Sequence, residues 1–89
     1  MAEQIITVSN RAGLHARPAA LLVQALKDFK CNVYIEKGNF RINAKSILGV
    51  ITLGAGYKTE LKLIAEGEDA DRALETLIRL FDSKFEEES

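Results

Sequence analysis

The chain has 89 residues, 47% hydrophobic and 28% charged, enough for one small domain over 1–89 and unlike a disordered or low-complexity sequence. Twelve Lys and Arg against 13 Asp and Glu leave a net charge of −1, which gives no broad basic footprint for nucleic acid or anionic lipid. One cysteine (Cys31), one histidine (His15), no apolar run of about 18–20 residues and no secretory signal argue against an internal disulfide, a metal cage, a membrane span and export. A cytoplasmic protein with no cofactor and no metal is expected.

Residues 3–8 read as a strand, with Ile6 and Val8 in one phase and Ile5 and Thr7 in the other. Asn10-Arg11-Ala12-Gly13 is loop chemistry. From Pro18 to Phe29 the residues Leu22, Leu26 and Phe29 form a helical stripe, joined by Leu21 and Ala25. Asn32 to Lys37 is a strand with Val33 and Ile35 on one side, and Lys37-Gly38-Asn39 turns it into a returning strand through Phe40 and Ile42. Ser46 suits the N-cap of a short helix over 47–53 that Gly54 and Gly56 end. Glu60 to Glu66 alternates, with Leu61, Leu63 and Ala65 inward. Asp69 caps a long helix whose stripe is Ala70, Leu74, Leu77, Ile78, Phe81 and Phe85, and Lys84 complements its dipole. The acidic run Glu86-Glu87-Glu88 reads as a solvated end.

The order is β-α-β-β-α-β-α. An α+β open-faced β-sandwich, a four-stranded mostly antiparallel sheet with three helices on one face, buries every stripe. The other face would be fairly open, with Thr7, Glu36, Lys37, Glu60 and Lys62 on it.

The unusual stretch is Gly13-Leu14-His15-Ala16-Arg17-Pro18-Ala19-Ala20. Pro18 belongs in a first helical turn, where amides have no intrahelical acceptor. His15 then falls at or near the N-cap, beside the free N–H groups of Ala16 and Arg17 and the Arg17 guanidinium. Amides at a helix N-terminus together with an arginine make a phosphate-sized anion site. An imidazole inside it can take a phosphoryl group and pass it on, because the phosphorus–nitrogen bond is labile.

Gly13-Leu14-His15-Ala16-Arg17-Pro18, with Lys45-Ser46-Ile47-Leu48-Gly49-Val50 downstream, resembles the histidine-containing phosphocarrier (HPr) family of the bacterial phosphoenolpyruvate-dependent sugar phosphotransferase system. The likeness covers essentially the whole chain and implies the sandwich reached above. It also implies a carrier that is not itself an enzyme: His15 takes a phosphoryl group on Nδ1 from enzyme I and gives it to IIA domains of sugar permeases. Arg17 stabilises the moving group and Ala16 contributes its backbone N–H. The serine matching Ser46 is, in some bacteria, phosphorylated by an HPr kinase/phosphorylase and then read by a catabolite-control repressor. Ser46 also has a purely structural role as a helix cap.

The helix after Ser46 carries more apolar residues than one buried face needs. Val50 and Leu53 suit the core, which leaves Ile47, Leu48 and Ile51 as an exposed patch, with Ala20 and Gln24 adjoining and Arg17, Lys45 and Thr52 around it. Methionine is frequent in the family where Leu48 and Ile51 stand. Gly54-Ala55-Gly56 leans toward the nitrogen-regulatory variants, an alternative in which the relay controls metabolism rather than sugar uptake. A monomer is expected. Two other classes fit less well. An RNA-binding domain wants a basic sheet face with stacking aromatics. A hydrolase built on His15 needs a second acid–base group, and no carboxylate lies between Gln4 and Lys27.

Overall fold

The computed structural model describes residues 1–86. Its elements are β1 (Ala2–Thr7), α1 (Ala16–Leu26), β2 (Asn32–Lys37), β3 (Phe40–Asn43), α2 (Ile47–Thr52), β4 (Glu60–Glu66), α3 (Ala70–Asp82) and a final turn, Lys84–Glu86. The strands lie in the order β1-β4-β2-β3, and every neighbouring pair is antiparallel. β4 therefore slots between β1 and β2, which run parallel to each other across it. α3 packs on β1 and β4, and α1 packs against both α2 and α3. Val33, Ile35, Leu61, Leu63 and Ala65 meet Leu22, Leu26, Leu77 and Phe81 in one core.

Two sheet positions differ from expectation. Lys37 shares the phase of Val33 and Ile35, and its Nζ donates to the Gly54 carbonyl at 3.4 Å, so it belongs to the helical side rather than the open face. Ile64 is on the open side, yet only 2% exposed. Its cross-strand neighbours are Glu3 and Tyr34, and Arg41 lies 5.0 Å above the Tyr34 ring while pairing with Glu36 at 2.8 Å. A thin second layer of rings and aliphatic stems thus covers the centre of that face.

Helix ends hold the larger corrections. α1 begins at Ala16 and ends at Leu26, so Phe29 packs on the core from the following loop. Asp69 occupies the N-cap of α3 but makes no side-chain cap. Its carboxylate accepts instead from the Lys30 amide at 2.8 Å and the Cys31 amide at 2.9 Å, clamping the α1–β2 loop to α3. The Lys30 amide above all, with the Cys31 side chain and amide adding to it, holds this carboxyl below its usual range. A depressed folded-state value means that its stabilisation is complete above about pH 4 and is lost as acidification passes through the lowered value. Asp69→Asn should therefore lower the urea midpoint at pH 7, and the gap to the parent should close below about pH 4. A gap that persists at pH 2 would show that something other than this carboxylate carries the effect.

Phe85 does not continue the α3 stripe, because the helix stops at Asp82. Lys84, Phe85 and Glu86 have φ of +57°, +53° and +60°, a left-handed turn in residues that each lose about 1–2 kcal/mol by it. Burial of Phe85 in the core and its edge-to-face contact with Phe81, at 4.8 Å between ring centres, offset that cost. Lys84 lies beyond the helix, and Arg79 is the basic residue in the last helical turn. Of the acidic run, Glu86 is described and Glu87 and Glu88 lie outside the described residues.

Candidate functional site

The loop before α1 is held from below. Asn10 is fully buried, donates from Nδ2 to the Gly13 carbonyl at 2.7 Å, and accepts the Gly13 amide at its own carbonyl at 3.2 Å. The Leu14 amide donates to the Ala55 carbonyl at 2.9 Å, which ties the loop to the segment after α2. Gly13 takes φ +69° to make that approach.

His15 is the N-cap residue of α1, in extended backbone, with an exposed side chain that makes no cap hydrogen bond. Its carbonyl accepts the Ala19 amide at 2.9 Å, the first bond of the helix. Pro18, third in the helix, has no N–H to offer. The amides of Ala16 and Arg17 thus remain as the free donors of the first turn among the described residues.

His15 stands between two cavities. One, of about 600 Å³, is walled by Ala12, Ala16, Arg17 and Pro18, and on its far side by Phe85 and Glu86. The other, of about 330 Å³, runs from His15 and Leu14 past Ile51 to Gly54, Ala55 and Gly56. The first cavity brings His15 and Arg17 together at the start of α1, residue types and a helix end suited to an oxyanion. The sequence places Phe85 in the α3 stripe and Glu86 in a solvated end rather than at this cavity, because about 70 residues separate them from His15 and the left-handed turn that redirects them leaves no local pattern.

The second cavity leads to the expected patch. Ile47, Leu48 and Ile51 are 46%, 74% and 41% exposed, while Val50 and Leu53 are buried. Arg17, Ala20 and Gln24 are exposed at three- and four-residue spacing, a common face of α1. The rim is less available than its charges suggest. Lys45 Nζ is bound to the Phe29 carbonyl, and Thr52 Oγ1 donates to Leu48 within its own helix at 2.6 Å.

Ser46 is the N-cap of α2: its Oγ accepts the Gly49 amide at 3.0 Å. Buried Cys31 has its thiol pushed up by burial and by neighbouring Asp69, which leaves little thiolate at neutral pH. Among the described residues no helix is long and apolar enough to cross a membrane, and no group of His, Cys, Asp or Glu is placed to hold a metal ion.

The family model described as "PTS HPr component phosphorylation site" matches residues 2–83. Phosphocarrier protein HPr of Treponema pallidum is 49% identical over 99% of this chain and 100% of its own length. HPr-like protein Crh of Bacillus subtilis is 47% identical over 86% of this chain and 91% of its own. The crystal structure of HPr-C-His from Thermoanaerobacter tengcongensis superposes with a TM-score of 0.96 at 46% identity, covering all of both chains. A model spanning nearly the whole chain, relatives of about half identity and the same fold lead to one conclusion: the chain belongs to the HPr family of phosphocarriers of the phosphotransferase system.

Proposed function

We propose that His15 is the phosphoryl acceptor, loaded by enzyme I and unloaded by IIA domains of sugar permeases. The observation that carries this is an exposed imidazole at a helix N-cap, beside Arg17 and two free amides, at the mouth of a cavity large enough for a phosphoryl group. In loading, the Nδ1 lone pair forms a P–N bond as the donor's P–N bond breaks and its electron pair returns to the donor nitrogen. Donation runs the same exchange in reverse toward the acceptor. Arg17 and the Ala16 and Arg17 amides meet the charge of the equatorial oxygens in transit. Nothing is released to solvent, so the protein is a carrier and a substrate of its partners rather than an enzyme.

The partners dock on Ile47, Leu48 and Ile51 with Ala20 and Gln24, an apolar face beside the imidazole. Every residue in this scheme comes from one chain, so a cytoplasmic monomer of one domain suffices. Ser46 adjoins the same face. Phosphorylation there by a kinase/phosphorylase places two negative charges beside the docking patch, slowing exchange with enzyme I and giving a catabolite-control repressor a group to read through arginines.

The test is incubation with enzyme I and phosphoenolpyruvate, with mass spectrometry before and after mild acid. One acid-labile phosphate is expected on the parent and none on His15→Ala. An acid-stable adduct, or an equally labelled His15→Ala, overturns the assignment.

A further inference from the structure

Among the described residues Asn10 is the one buried polar side chain, and its burial is complete. Its amide is only half used. Nδ2 donates to the Gly13 carbonyl at 2.7 Å, while Oδ1 has no partner among the described residues. A buried acceptor left unpaired costs stability, so this side chain is a poor choice for holding the core together. Its value lies in geometry. We infer that Asn10 is a positioning residue for phosphoryl exchange at His15, an inference that rests on the role proposed for that histidine.

The side chain of His15 makes no cap hydrogen bond, so its place is set by the backbone that leads to it. Three bonds hold that backbone among the described residues: Asn10 Nδ2 to the Gly13 carbonyl, the Gly13 amide to the Asn10 carbonyl at 3.2 Å, and the Leu14 amide to Ala55 at 2.9 Å. Asn10 supplies two of them, and only the first comes from a side chain. Asn10 is itself firmly seated. Just before it, Val8 accepts the Lys58 amide and donates to the Thr59 carbonyl, each at 2.8 Å. The path from the sheet to the imidazole therefore runs through one carboxamide. Phosphoryl exchange needs the attacking nitrogen within about 3–3.5 Å of phosphorus and in line with the bond that breaks. A partner seated on Ile47, Leu48 and Ile51 is fixed by a different element and cannot follow a drifting His15. Asn10 touches neither reacting atom and takes up no proton. It acts through Gly13 and Leu14.

In the experiment, enzyme I that already carries its phosphoryl group is mixed with increasing excess of the carrier, and transfer is followed by rapid quench and mass spectrometry. Asn10→Asp keeps the shape but turns a carboxylate oxygen toward the Gly13 carbonyl in place of a donor. Its maximal transfer rate should fall about 10- to 100-fold, with the half-saturating concentration within about two-fold of the parent, because the docking face is intact. A role in folding alone reads the other way: it removes competent molecules, raising the half-saturating concentration and leaving the maximal rate in place. Asn10→Ser keeps an O–H donor on a shorter reach and should fall between the two. A parent-like maximal rate in Asn10→Asp overturns the inference, as does a loss confined to half-saturation. Where Asn10→Asp does not fold, Asn10→Ser decides by the same two readings. A parent that takes no phosphoryl group overturns the role of His15 instead, and that result is distinct because the unsubstituted chain is itself unlabelled.

Discussion

Gly13→Ala is expected to cost about 2–4 kcal/mol, a large share of the stability of so small a domain. Two effects add. The residue sits at φ +69°, where a side chain costs about 1–2 kcal/mol. A Cβ there would also stand 2.6 Å from the Ala55 carbonyl oxygen and 2.9 Å from the Gly56 Cα. Both are backbone atoms and cannot rotate away, so the loop must lift and loosen the 2.9 Å bond from the Leu14 amide to Ala55. Since that bond seats the residue before His15, phosphoryl uptake should fall along with the denaturation midpoint. A variant with the parent's midpoint would show that the loop is not held against residues 55–56.

Leu48→Glu should behave in the opposite way. At 74% exposed, Leu48 contributes little to the core, so its melting temperature should change by no more than a degree or two. If the patch is the docking face, a buried unpaired charge at its centre should weaken enzyme I binding at least about thirty-fold, the scale of an interface hot spot. Titration calorimetry with enzyme I separates the outcomes. Unchanged affinity places docking elsewhere, and a large loss of stability would mean that Leu48 is needed inside.

These contrasts mark where the sequence was legible. Alternation in Glu60–Glu66, the Gly38 hairpin and the surplus of apolar residues after Ser46 are local patterns, and the structure follows them. His15 at a helix start was readable because Pro18 fixes the register within three residues. Long-range partners were not readable. Asp69 has the chemistry of a cap, but two amides of a distant loop compete for its oxygens and win. Phe85 keeps helical spacing from Phe81, yet reaches the core only after the backbone reverses its handedness, and no periodicity carries that information. Lys37 was misplaced by composition: a charged residue at a strand end can follow the inward phase when a carbonyl of α2's exit waits for it. The wall of the His15 cavity formed by the helix start was therefore legible in residues 12–18, and the wall formed by Phe85 and Glu86 was hidden in the tail.

The imidazole of His15 contributes no hydrogen bond to the helix it begins. Under the role proposed for His15, charging and discharging the ring therefore break no hydrogen bond that the scaffold itself depends on. Under that role, partners that distinguish full from empty would read the cargo itself rather than a broken cap at the helix start.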